Sequence, residues 1–166
     1  MRIRTTITVV GLLAAGATLT GCGGQHGSNA NGPIKKGKDA SAVYGVIHAA
    51  MPTTTLTATV TAANDGNHLL GRPHQYTSAI KFADSRIKAS DVDGLDKDDV
   101  TRGGGIEVFP NHDDAQARAD YIQTVTKSIP ALTEYDYVAG DVVVRVSHLL
   151  TPDQAAKYKQ AAEKLG

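Results

Sequence analysis

The chain has a single cysteine, Cys22, and no tryptophan among its 166 residues. With no second thiol, no disulfide can form inside the chain, so the fold must hold by packing alone. The same absence excludes cysteine nucleophiles in the folded part, cysteine-type zinc sites, iron–sulfur clusters and CxxC redox chemistry. An aromatic content of 5% disfavours a carbohydrate-stacking surface. Glutamate occurs only at Glu107, Glu134 and Glu163, so spacing defines no glycosidase-type carboxylate pair. No GxSxG elbow, HExxH, P-loop or GxGxxG string is present, and no catalytic residue is assigned.

Charge of one sign is also missing, since 17 Lys and Arg balance 17 Asp and Glu. Without a long basic run, nucleic acid is not an expected partner. No apolar run is long enough to span a membrane, which takes about 20 residues.

What is present begins with Arg2 and Arg4, followed by the uncharged, mostly apolar run Ile7–Leu19. This is the layout of a secretory signal peptide. Leu19-Thr20-Gly21-Cys22 closes it and resembles the lipobox of bacterial lipoproteins. That resemblance implies a signal peptide over 1–21, cleavage between Gly21 and Cys22, and a diacylglyceryl group on Cys22, with further acylation such as palmitate. Two or more chains on one residue give stable anchoring. The expected location is therefore the extracytoplasmic face of the cell membrane, with the bilayer itself a partner through the lipid. Removing Arg2 and Arg4 with the leader shifts the formal charge from zero to about minus two.

Residues 22–39 are rich in Gly, Asn, Ser and Lys and read as a flexible tether with a reach of roughly 20 to 25 Å. Residues 40–166 make one domain of ordinary size. Asp39 is a plausible cap for a helix carrying Val43, Val46, Ile47 and Ala50 on one stripe, stopped at Met51-Pro52. Leu56, Ala58, Val60 and Ala62 alternate with threonines at strand period. An extended segment over 76–86 puts Tyr76, Ile80 and Phe82 on one face, and 106–109 pairs with it across a long polar loop. Asn111 caps a helix with the stripe Ala115, Ala119, Ile122, Val125 and Ile129, ended by Pro130. Residues 134–138 and 142–147 form a hairpin, and Thr151-Pro152-Asp153-Gln154 is a capping box opening a last helix. The expected class is α+β, an antiparallel sheet of four or five strands with helices packed on one face.

Three groups are candidate sites. The segment 64–78, NDGNHLLGRPHQYTS, places Arg72, His74 and Tyr76 close in sequence, where a guanidinium, an imidazole and a phenol could receive an anion or a partner's backbone. The alternative is a loop pinned by Leu69 and Leu70. Asp91, Asp93, Asp96, Asp98 and Asp99 make an oxygen-rich loop of the kind calcium prefers, although Gly94 falls fourth and Arg102 twelfth where an EF-hand needs glycine sixth and glutamate twelfth. A solvated acidic loop is the plainer reading. The six histidines are too scattered to put two metal ligands on one helical face.

Segment 64–78 and the strand–helix units after it resemble a group of small lipoproteins from high-GC Gram-positive bacteria. The resemblance implies the same class and no particular activity. The expected function is a noncatalytic protein-interaction module of the cell envelope, with an envelope protein as partner and no cofactor beyond the lipid. A small-ligand or calcium-binding protein is the alternative, and a cell-wall hydrolase ranks last.

Overall fold

The computed structural model describes residues 38–165. The expected signal peptide over 1–21, Cys22 and the expected tether through residue 37 lie outside the described residues. The elements are α1 (Ala40–Ala50), β1 (Thr54–Thr59), β2 (Ser78–Asp84), β3 (Gly103–Val108), α2 (His112–Thr126), β4 (Glu134–Ala139), β5 (Val142–Ser147) and α3 (Pro152–Ala162).

All three helix starts are set locally. The Asp39 carboxylate accepts from the Ser41 amide at 2.7 Å. Asn111 accepts from the Asp114 amide at 2.9 Å, and Thr151 and Gln154 exchange the reciprocal bonds of a capping box. Each satisfies amides that the first helical turn leaves without partners, a contribution of about 1 kcal/mol per cap.

The strands form one antiparallel sheet in the order β1-β2-β3-β5-β4. This is the α+β fold expected. The helices are distributed over both faces, however, which corrects the one-sided layering. On the first face Ile80, Phe82, Ile106, Val108, Val142, Val144 and Val146 pack against Val43 and Ile47 of α1 and Ala155, Tyr158 and Ala162 of α3. On the second face Ala115 and Ala119 of α2 meet Val143, Ala79, Tyr76 and Phe109. Completely burying one aliphatic side chain such as Ile106 stabilises by roughly 1.5 to 3 kcal/mol, so the first face holds most of the apolar core.

β3 is buried along its whole length. Its glycines let neighbouring side chains lie across it. A Cβ on Gly104 would stand 2.5 Å from the Phe82 ring and 2.2 Å from the Arg145 carbonyl oxygen. On the opposite face a Cβ on Gly105 would meet the Lys81 stem at 3.3 Å.

Three local expectations are revised. In β1, Leu56 pairs with Phe82 and Ala58 with Lys81, so Thr57 is an extra residue in a bulge. The bulge turns Leu56 and Ala58 to opposite faces despite their two-residue spacing, and Leu56 is 42% exposed at the sheet edge. Tyr76 precedes β2 and joins the second-face cluster, away from Ile80 and Phe82. Helix α2 ends at Thr126, so Val125 and Ile129 are largely exposed and Thr126 is buried, its hydroxyl donating to the Ile122 carbonyl.

Candidate functional site

Helix α2 packs over β4 and β5. The part of the second face formed by β1, β2 and β3 lies instead beneath two long connections, 60–77 and 85–102. Between them is a cleft of about 580 Å³, within the usual range for small-molecule sites. Its walls are Asn64–Asn67 on one side and Asp96–Val100 on the other, and its floor carries Ala58, Lys81, Glu107 and Arg145.

The floor follows from strand register. Ala58, Lys81, Gly105, Arg145 and Asp136 are consecutive cross-strand partners, so their side-chain positions form one row across the whole sheet. Glu107 lies on the same face two residues along β3 from Gly105. Arg118 reaches down from α2, donating from Nε to Glu107 Oε2 at 2.9 Å. Arg145 donates from one terminal nitrogen to Glu107 Oε1 at 3.0 Å and from the other to Glu134 Oε1 at 2.8 Å.

These four side chains are at most 13% exposed. Burial alone pushes the Glu107 carboxyl up, but Arg145 and Arg118 outweigh it and hold the group below its ordinary value. Burial lowers the Arg145 guanidinium, and Glu107 and Glu134 more than reverse this. Two carboxylates and two guanidiniums therefore neutralise one another.

Lys81 is the charge left over. Among the described residues its ammonium has no hydrogen-bond or ion-pair partner, and the nearby Glu107 oxygens are already engaged by Arg118 and Arg145. Burial and then the Arg145 charge pull the Lys81 ammonium below the ordinary lysine value, against the opposing pull of Glu107 and Glu134. At the far end of the row, burial and then Glu134 raise the Asp136 carboxyl to about 7. Gln123 donates to its Oδ2 at 2.5 Å, while Oδ1 is buried without a partner among the described residues.

The wall loop 61–77 is organised around Asp65. Its carboxylate accepts from the amides of Leu69 and Leu70, each at 2.8 Å, and from the Tyr76 hydroxyl at 2.6 Å. Burial pushes Asp65 up, and the Tyr76 bond with the backbone amides brings it below the ordinary value. Tyr76 is thus a buried strut of the wall. Arg72 and His74 are exposed, and His74 Nδ1 lies 2.9 Å from Asp114 Oδ1 on α2. The structure does not bring Arg72, His74 and Tyr76 together at a common surface.

The acidic loop is also spread out. Asp91 accepts from the Ser90 hydroxyl at 3.1 Å, and Asp99 caps the short helical turn Val100–Arg102 by accepting from the Thr101 amide at 2.7 Å. Arg102 ties the loop together through the carbonyls of Val92, Leu95 and Asp96. Asp96, Asp98 and Asp99 line the cleft, whereas Asp91 and Asp93 do not. Among the described residues no three His, Cys, Asp or Glu converge on a point a metal ion could occupy.

The residues missed by sequence reasoning are Lys81 and the Glu107–Arg118–Arg145–Glu134 network. Their signal was faint: charged residues at alternate strand positions, a pattern that ordinarily marks a solvent-facing side. No protein-family model matches the chain, and comparison with curated proteins and with solved structures likewise finds no match.

Proposed function

We propose that this chain is a noncatalytic binding module of the cell envelope, held at the membrane by lipid on Cys22, and that it receives a small polar ligand in the cleft above Lys81. One observation carries the ligand reading: the open part of the second face is a loop-walled cleft whose floor holds a partly buried ammonium that has no partner among the described residues. Leaving such a charge without a counter-ion costs stability, and ligand sites are where such costs are retained.

The absence of catalysis is part of the proposal, and three of the five described imidazoles are engaged outside the cleft. His48 bonds to the Thr54 hydroxyl, which itself donates to a backbone carbonyl. His112 bonds to the Gly140 carbonyl, and His74 to Asp114. None of these chains joins a nucleophile, a base and an orienting group in the cleft.

A protein partner is the second reading, favoured by the exposed apolar side chains Tyr121, Val125, Ile129 and Leu132 at and after the end of α2. The test is native mass spectrometry of the lipidated protein taken from its own membrane, alongside Ala58→Trp, which places an indole over the cleft floor. A small-molecule adduct in the first and none in the second is the expected result. No adduct, together with no thermal shift from fractionated envelope small molecules, would contradict the ligand reading. Loss of membrane retention in Cys22→Ala is the corresponding expectation for the anchor.

A further inference from the structure

The cleft contains two unmatched polar groups of opposite sign. Lys81 on the floor has an ammonium with no partner among the described residues, and Asp98 on the wall has a buried Oδ1 with no hydrogen-bond partner. They do not satisfy each other, because the ion pair made by Asp98 is with Lys97, through Oδ2 at 3.7 Å. The floor glutamate is consumed by two arginines, and the Asp65 carboxylate by Tyr76 and three backbone amides. What remains to be answered is one cation and one acceptor, on two residues that line a common cleft.

We propose that the cleft binds a small zwitterion of the amino-acid type, a free amino acid or short peptide, with its carboxylate on Lys81 and its ammonium toward Asp98. The inference deepens the ligand reading above and rests on it. A simple anion would answer Lys81 while adding charge beside Asp96, Asp98 and Asp99. A simple cation would answer Asp98 while leaving Lys81 unpaired. Only a ligand bearing both groups satisfies the floor and the wall together, and charge-assisted bonds at both ends strengthen in a partly desolvated cleft. Gly105 leaves room for the Lys81 side chain to lie across β3, where a Cβ would meet its stem at 3.3 Å, and Ala58 beside it keeps the floor low. Lowering of the Lys81 ammonium by burial is consistent with a group that gains most from a carboxylate counter-ion.

The experiment is calorimetric titration of the full-length protein in detergent with three forms of one compound: alanyl-alanine, its N-acetylated form and its C-terminal amide. Alanine run alongside distinguishes a single amino acid from a peptide as the better span. The free dipeptide or alanine is expected to bind at least tenfold more tightly than either blocked form. Lys81→Gln is expected to remove the advantage over the amide, and Asp98→Asn the advantage over the N-acetyl form, with unchanged far-UV dichroism in both variants. Equal binding of all forms, or tightest binding by a blocked form, would overturn the assignment. If no form binds while a small molecule still co-purifies with the wild type and not with Ala58→Trp, the cleft is a ligand site and the zwitterion inference alone falls. If no form binds and nothing co-purifies, both fall.

Discussion

Arg145 on β5 lies between Glu107 on β3 and Glu134 on β4 and donates to both carboxylates, at 3.0 Å and 2.8 Å. Because all three are nearly buried, the guanidinium links the middle of the sheet to its β4 edge. Removing one member of a buried pair leaves an uncompensated charge, which typically costs about 3 to 5 kcal/mol. Arg145→Met is therefore expected to lower the urea midpoint severely or prevent folding. A stability within about 1 kcal/mol of wild type would show that the two glutamates find other partners.

Tyr76 and Asp65 define the rigidity of one cleft wall. Tyr76→Phe removes a hydrogen bond to a charged acceptor and should cost about 1.5 to 3 kcal/mol. Its more specific mark is faster hydrogen exchange at the Leu69 and Leu70 amides, which share the Asp65 carboxylate. Unchanged protection there would mean that the wall is held by other contacts.

Asp136 makes stability depend on pH near neutrality. Its folded value of about 7 lies above the ordinary 3.8, burial being the first cause and Glu134 the second. The folded state thus binds the proton more tightly than the unfolded chain. The resulting stability is fully present below about 4 and is lost as pH rises through about 7. Asp136→Asn should flatten this decline and gain roughly 1 to 3 kcal/mol relative to wild type at pH 8, after discounting for solvent at this half-buried position. Denaturant midpoints measured across pH 4 to 8 decide the matter, and parallel curves for the two proteins would contradict it.

Gly104 and Gly66 separate two kinds of glycine. Gly104→Ala would force a methyl against the Phe82 ring and the Arg145 carbonyl, whereas a Cβ on Gly66 meets nothing within 4 Å. Overpacking of this kind costs about 1 to 3 kcal/mol or more, while Gly66→Ala should change stability by less than about 0.5 kcal/mol. Thermal melts of the two variants provide the comparison.

The features legible in the sequence were those decided by neighbours a few residues apart. Asp39, Asn111 and Thr151 announce helices because capping is local, and Gly140 marks the β4–β5 turn because its φ is positive, at 61°. The face assignment of α2 was not legible, because both sheet faces carry apolar residues: Val142, Val144 and Val146 on one, Ala79 and Val143 on the other. The extra Thr57 was hidden because a bulge leaves no trace in an alternating threonine run. The floor network escaped for a different reason. Glu107, Arg118, Glu134 and Arg145 lie on four elements, and only the strand order brings them into contact.

The account depends on Lys81 remaining an unpaired ammonium in an open cleft. An NMR pH titration of the lysine ε-ammonium groups, with Lys81 assigned by Lys81→Arg, tests this directly. The expected result is a Lys81 midpoint below the ordinary lysine value, rising when a bound carboxylate supplies the missing counter-ion. A Lys81 midpoint at or above the ordinary lysine value in the free protein would mean that the ammonium already has a partner, and that the cleft is not waiting for a ligand.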